Sequence, residues 1–306
     1  MRRYFSILIT GLLLGFLVSC GLNPYADTNR VHKKQVKNLT EQLRDFPPDK
    51  EDRIDSLDYG EYWVGTTNFS LRKPNFVIIH HTAQDSIEHT LKTFTLPRTQ
   101  VSSHYVISDD GKIYQMLGDS FRAWHAGVGK WGNNTDLNSS SIGIELDNNG
   151  FEPFSAAQIN SLIKLLGVLK DRYNIPTANF IGHSDIAPTR KVDPNAFFPW
   201  EVLAEEGFGY WYDEGILASP VEKTLESELN NLSFETGEQI TETEGEAIAP
   251  HLKMDPEMAL RIIGYDTSDL EAAIKAFKLH FIQEEITGNL TEKDLKILYN
   301  LYPKYM

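Results

Sequence analysis

The 306-residue chain holds a single cysteine, Cys20. No disulfide can form within it, so any metal it binds in a folded domain must be held by His, Asp or Glu. Basic residues are scarce beside acidic ones: 29 Lys and Arg stand against 43 Asp and Glu, for a net charge of -14. That excludes a globally basic nucleic-acid binder, because neutralising phosphates needs clustered Lys and Arg. No uncharged apolar run reaches the roughly 20 residues that a comfortable membrane span needs. No internal repeat occurs at the periods of solenoid proteins. The chain is nevertheless 41% hydrophobic, which excludes wholesale disorder and is ordinary for a globular protein. Its length allows one large domain or two smaller ones.

The N-terminus reads as an address. Arg2 and Arg3 precede an uncharged stretch from Tyr4 to Val18, the pattern of a signal-peptide core. The segment Leu17-Val18-Ser19-Cys20-Gly21 resembles the bacterial lipobox, in which the cysteine is lipidated and becomes the new N-terminus. This makes residues 1–19 the signal peptide and Cys20 the lipidation site, with the lipid supplying the membrane anchor. Gly21 stands where inner-membrane lipoproteins of enteric bacteria carry aspartate. By that resemblance the expected location is the outer membrane, facing the periplasm.

Composition divides the rest. Residues 20–70 are polar and read as an irregular, lipidated tether and lead-in, with Pro47-Pro48 inside it. Residues 71–213 hold most of the strand and helix patterning. Residues 214–250 read as an acidic linker; between Val221 and Ala249 there are eight Glu and one Lys, too polar to offset chain entropy by burial. Residues 251–306 recover helical periodicity.

Within the central part, Phe76-Val77-Ile78-Ile79 is a β-branched run with the character of a buried strand. Ser103–Ile107 and Lys112–Met116 flank Asp109-Asp110-Gly111, a hairpin signal. In Ser141–Leu146, alternation puts Ile142, Ile144 and Leu146 on one face and Ser141, Gly143 and Glu145 on the other. Ser155 and Gln158 have capping-box spacing ahead of a helix carrying Ile159, Leu162, Ile163, Leu166, Leu169 and Tyr173. Glu88–Phe94 is a further helix candidate, and Phe180–His183 a last short strand. Alternating strands and helices predict an α/β fold with a central mixed sheet flanked by helices. The C-terminal part predicts a small all-α domain, with a helix from about Leu270 to Phe281 and a last helix capped by Thr291 with Asp294.

Candidate chemistry comes from separated sites. His80 ends the first strand, His183 the last, and Asp193 follows ten residues later. Two imidazoles and a carboxylate, with a fourth position left to water, suit a catalytic zinc ion. None of these spacings is a local metal signature, and each histidine taken alone reads as structural.

The segments Ile78-Ile79-His80-His81-Thr82-Ala83, Ser102-Ser103-His104-Tyr105, Ala123-Trp124-His125-Ala126-Gly127, Ser141–Leu146 and Gly182-His183-Ser184-Asp185-Ile186-Ala187-Pro188 occur in this order. Together they resemble the type-2 N-acetylmuramoyl-L-alanine amidases, a zinc family that includes phage amidases and peptidoglycan recognition proteins. The nearest likeness is to the lipoprotein branch that cleaves muropeptides and anhydro-muropeptides. The resemblance implies Zn2+ held by His80, His183 and Asp193, with Glu145 as catalytic acid and base and Lys191 as the cation at the transition state. It favours His80 over the adjacent His81 as ligand, although relatives often carry Tyr or Asn at the second position. Trp124, His125 and Ala126 correspond to a substrate-lining motif, and Arg190 is a candidate for a peptide carboxylate. The implied substrate is peptidoglycan or muropeptides, cut between the lactyl group of muramic acid and L-alanine. The C-terminal part is similar to a three-helix peptidoglycan-binding domain. The alternatives are a non-catalytic peptidoglycan-binding receptor of the same fold, a class that tends to lose a zinc ligand, and a structural envelope lipoprotein.

Overall fold

A computed structural model of the chain describes residues 23–44, 68, 70–218 and 254–306. The signal peptide, Cys20 and most of the acidic linker lie outside these residues. None of the described helices is long and apolar enough to cross a membrane.

The chain forms two units, Met1–Ser70 and Leu71–Met306. In the first, the segment expected to be irregular contains helix α1 (Ala26–Arg44), none of whose side chains is buried. Its composition explains the difference. Between Val31 and Arg44 it has no Gly or Pro and is rich in Lys, Gln, Glu and Leu, which lose little rotamer freedom in a helix. Arg30–Asp27 at i,i+3 and Lys37–Glu41 at i,i+4 add weak support.

The second unit is built on a five-stranded sheet. Its elements run β1 (Phe76–His81), α2 (Ile87–Thr95), β2 (Tyr105–Ile107), β3 (Ile113–Gln115), α3 (Leu137–Ser140), β4 (Ser141–Leu146), α4 (Ala156–Tyr173), β5 (Phe180–Gly182), α5 (His183–Ile186) and α6 (Trp200–Glu205). Three C-terminal helices follow, α7 (Pro256–Ile263), α8 (Leu270–Phe281) and α9 (Glu292–Leu301). The strand order is β3-β2-β4-β1-β5. All neighbours are parallel except the β2–β3 hairpin, so the sheet is mixed, as the sequence predicts.

The two faces of the sheet have different coverings. Val77 and Ile79 of β1 and Ile142, Ile144 and Leu146 of β4 pack against Ile159, Leu162, Leu166 and Leu169 of α4. Ser155 caps that helix by accepting the Gln158 N–H. The opposite face, carrying Ile78 and Ile181, packs with Ala126, Trp131, Leu137, Ile186 and Ala187. The same core includes Leu260, Ile263, Phe277, Phe281, Leu298 and Leu301 from α7, α8 and α9. The C-terminal helices therefore cover one face of the sheet as part of its core. This continuity offsets the marginal stability of a unit of fewer than 60 residues on its own.

Candidate metal centre

Alternation along β1 and β4 builds the site. His80 lies two residues from Ile78 and shares its face. Glu145 is the register partner of His80 and shares its face with Gly143 and Ser141. His183 opens α5 directly after β5, which pairs with β1 on the other side. Three parallel strands thus deliver His80, Glu145 and His183 to their carboxyl ends, where α/β sheets commonly place their sites. Asp193 arrives on the loop after α5, tied back by the Ser184 N–H to its own carbonyl at 2.8 Å.

The three candidate ligand atoms converge. His80 Nδ1 lies 2.8 Å from His183 Nδ1 and 3.2 Å from Asp193 Oδ2, and His183 Nδ1 lies 3.0 Å from Asp193 Oδ2. All three side chains are buried, and among the described residues this is the one His/Cys/Asp/Glu group with the compactness of a metal site. A tetrahedral ion with bonds of about 2.0–2.1 Å sets its ligand atoms roughly 3.3 Å apart. The observed triangle is slightly tighter than that, and its two imidazoles and one carboxylate suit zinc. Two buried imidazole nitrogens 2.8 Å apart are otherwise hard to satisfy, since no hydrogen bonding accounts for the pair together with the carboxylate unless at least one ring carries a proton there.

The far sides of the rings fix their tautomers. His80 Nε2 is 3.0 Å from His125 Nδ1, His125 Nε2 is 3.1 Å from Ser141 Oγ, and the Ser141 hydroxyl donates to the Leu137 carbonyl. Followed inward from that carbonyl, the polarity is consistent: His125 donates to Ser141, and His80 donates to His125. This leaves His80 Nδ1 with a free lone pair facing the triangle. His183 Nε2 lies 3.0 Å from the Ala126 carbonyl, which frees its Nδ1 in the same way. Asn138 Oδ1 accepts the N–H groups of both His125 and Ala126, holding this backbone in place. Gly143 is required for the arrangement, because a β-carbon there would lie 2.4 Å from the His125 ring.

Electrostatics follow from burial. Desolvation, with repulsion from His183, pushes His80 down to about 4, overcoming the Asp193 contacts that raise it. His125 is lowered well below the usual imidazole range, chiefly by desolvation and then by His80. Both are thus neutral near pH 7, the form that binds metal and relays hydrogen bonds. Burial alone would raise Asp193, but its contacts with His183 and His80, whose rings can carry a proton at Nδ1 when no cation fills the triangle, hold it well below the usual carboxylate range. Glu145 has no such partners. Burial pushes it up to about 8, Asp193 adds repulsion, and Lys191 opposes both. Its Oε1 lies 4.0 Å from His80 Nδ1, at the edge of the triangle. Lys191 is half-buried, and its charge acts on His80 and Glu145 alike.

The remaining sequence candidates separate into two groups. Trp124 is exposed, whereas His125 and Ala126 are buried and hold the far sides of the His80 and His183 rings. Arg190 donates through Nε and Nη2 to the Val128 carbonyl and through Nη2 to that of Ala126. It therefore braces the loop that orients His183. His81 faces away from the triangle and accepts the Asn195 N–H at Nδ1. His104 supports β4, accepting the Gly143 N–H and contacting the Phe121 carbonyl. Sequence reasoning passed over Ser141 and Asn138, although Ser141 was placed on the correct face by alternation.

The family described as N-acetylmuramoyl-L-alanine amidase matches residues 70–196, the segment that builds this site. The chain is also 34% identical over 254 residues to the N-acetylmuramoyl-L-alanine amidase AmiD of Escherichia coli K12, covering 75% of this chain and 82% of that protein. This chain belongs to the N-acetylmuramoyl-L-alanine amidase family. A second relative, the 1,6-anhydro-N-acetylmuramyl-L-alanine amidase AmpD of Haemophilus influenzae, is 41% identical over 103 residues, 33% of this chain and 56% of that protein. Among solved structures, the complex of E. coli AmiD with the substrate anhydro-N-acetylmuramic acid-L-Ala-D-gamma-Glu-L-Lys superposes with a TM-score of 0.60 at 30% identity. It covers 84% of this chain and 97% of that one. AMPDH3 of Pseudomonas aeruginosa, in complex with an anhydromuramic pentapeptide, superposes with a TM-score of 0.61 at 29% identity, covering 82% and 99%. Both solved structures therefore match this chain over more than the segment 70–196.

Proposed function

We propose that this chain is a zinc-dependent N-acetylmuramoyl-L-alanine amidase that hydrolyses the amide between the lactyl group of muramic acid and L-alanine, with muropeptides, anhydro-ended ones included, as substrates. The observation that supports it most is the buried His80–His183–Asp193 triangle beside a carboxyl group, Glu145, that has no hydrogen-bond partner of its own in the triangle. His80 and His183 through Nδ1, and Asp193 through Oδ2, are the groups that would hold zinc. The bound ion would supply a Lewis acid and lower the pKa of its water.

Glu145 is suited to moving the proton. Its carboxyl, pushed up to about 8, has an unusually high proton affinity for a carboxylate. That makes it a strong base toward an attacking water and then an acid for the departing amine of L-alanine. Lys191 brings positive charge to the same region without being part of the triangle, where it can stabilise negative charge growing on the carbonyl oxygen. The dry surroundings of β1 and β4 strengthen both effects relative to bulk water. Trp124, exposed and directly before His125 in the chain, is the candidate apolar surface for substrate.

A non-catalytic receptor would dispense with part of this set, whereas every position is present here. The lipidated Cys20 anchor and the periplasmic outer-membrane location belong to the same proposal. They rest on the leader and lipobox pattern of residues 1–21. The test is to incubate the purified soluble protein with defined muropeptides, with and without a chelator, and to identify products by mass. Release of intact stem peptide beginning with L-alanine, abolished by chelator and restored by zinc, is expected. Products cut elsewhere, or cleavage indifferent to chelator, would overturn the assignment.

A further inference from the structure

Asp185 lies two residues after His183, in the four-residue helix α5, and is wholly buried. It is not oriented toward the His80–His183–Asp193 triangle by any contact. Its Oδ2 accepts the Gly182 N–H at 2.7 Å, which closes the turn that starts α5. The other two partners come from the C-terminal part, Tyr265 from the loop between α7 and α8 and His280 from α8. Tyr265 donates its hydroxyl to Asp185 Oδ1 at 2.9 Å, and His280 Nδ1 lies 2.7 Å from Oδ2. Tyr265 and His280 are themselves buried. A buried carboxylate is costly unless hydrogen-bonded, so removing either donor leaves a penalty directly on the helix that presents His183.

Surrounding contacts fasten the same region to the same helices. The His280 ring stacks on Trp200 at 3.8 Å between centroids and 15° between planes. Gln283 donates to the Phe198 carbonyl at 2.6 Å. The Gly132 N–H donates to the Gly264 carbonyl at 2.7 Å, and Trp131 lies so close over Gly264 that a β-carbon there would meet its ring at 2.5 Å. Lys130 pairs with Asp266 at 3.1 Å, while its backbone N–H donates to the Ile186 carbonyl at the end of α5. The loop that carries Ala126, acceptor of His183 Nε2, and the loop that carries Asp193 are therefore both flanked by anchors on the C-terminal helices.

We infer that the C-terminal helices are an assembly element of the metal centre, with Tyr265 and His280 as positioning residues that hold α5, through Asp185, in the geometry that aims His183 at the triangle. This rests on the zinc reading above for its metal-binding consequence, but the mechanical part stands on its own. Ordering of α5 by α7–α9 converts His183 from a residue at a strand end into a preorganised ligand, and groups that orient ligands typically matter 10–100-fold for metal affinity. The helices would do this whether or not they also touch the cell wall.

The test uses the full chain with His280→Ala, His280→Asn and Tyr265→Phe, and with Leu298→Ala as a destabilising control in the same helical core, away from Asp185. Zinc affinity is measured by chelator competition, and amide hydrogen exchange is followed over residues 182–193. His280→Ala and Tyr265→Phe are expected to lower zinc affinity at least about 10-fold and to speed exchange in that segment. His280→Asn keeps an N–H donor near the Nδ1 position and is expected to recover most of both. Leu298→Ala is expected to lower global stability while leaving zinc affinity within about 2-fold of wild type, well under the 10-fold expected of an orienting group. Wild-type affinity and exchange in His280→Ala and Tyr265→Phe would overturn the inference, as would an equal loss in Leu298→Ala. If the wild-type chain binds no zinc, the functional reading falls, and the exchange of residues 182–193 still decides the positioning role.

Discussion

Replacing Glu145 with Gln isolates the electrostatic cost of the candidate general base. Glu145 is buried, and its folded-state carboxyl is pushed up from the ordinary 4.5 to about 8, by burial first and by Asp193 second. Between those two values the folded protein holds a proton that the unfolded chain has released. Stability must therefore fall as pH rises from about 4.5 to about 8, and level off above. Each pKa unit is worth about 1.4 kcal/mol, so the full window amounts to roughly 3–5 kcal/mol in metal-stripped protein. Glu145→Gln is neutral throughout and nearly isosteric, so it lacks this loss. Asp193 has the opposite character, contributing stability that is lost as pH falls below the ordinary carboxylate range, but it is common to both proteins and largely cancels. The assay is urea unfolding of metal-stripped wild type and Glu145→Gln at pH 4.5, 6.5 and 8.5. The variant should gain progressively on wild type, by about 3 kcal/mol or more at pH 8.5. A pH-independent difference, or a variant less stable at pH 8.5, would refute the claim that Glu145 sits uncompensated in a dry site.

The same substitution should bind zinc at near wild-type affinity yet lose at least about 100-fold in turnover of a muropeptide, the usual scale of general acid–base catalysis; metal analysis and steady-state kinetics check both halves. Asp193→Ala removes a ligand and the partner of both imidazoles, so zinc affinity should collapse, read by chelator competition. His125→Ala cuts the link between His80 Nε2 and Ser141 and should lower zinc affinity about 10–100-fold in a protein that still folds by circular dichroism. Gly143→Ala forces a β-carbon against the His125 ring and should destabilise by about 1–3 kcal/mol while also weakening zinc, measured by denaturation and by competition.

Much of this arrangement was legible in the sequence because it depends on local periodicity. The two-residue alternation of Ser141–Leu146 placed Glu145 opposite the α4 core, and the structure keeps that division. The Asp109-Asp110-Gly111 turn gave the β2–β3 hairpin, and the Ser155 and Thr291 caps marked true helix starts. Convergence of His80, His183 and Asp193 was not readable from spacing, since it depends on which strands become neighbours; the ordered family motifs supplied it. Helix α1 was missed because its apolar residues at helical spacing are few, Val36, Leu39 and Leu43, and are outnumbered by polar ones in a segment that also holds Pro47-Pro48 downstream, although its residues are good helix formers. The supporting roles of His125, Ala126 and Arg190 were missed because a motif shows that residues belong to a site without showing which side of it they occupy. His280 did leave a trace. It lies on the apolar face of α8 among Ala273, Phe277 and Phe281, and a buried imidazole there needs a hydrogen-bond partner from elsewhere in the fold.

Zinc stoichiometry across wild type, three ligand variants and Glu145→Gln tests the central claim most directly. Wild type, His80→Ala, His183→Ala, Asp193→Ala and Glu145→Gln are equilibrated with zinc, freed of excess, and assayed by mass spectrometry for bound metal. A single ion per wild-type chain, lost from each of the three variants while Glu145→Gln retains it, is the predicted result. Wild type without bound zinc, or a full equivalent surviving in any of the three alanine variants, would contradict the account.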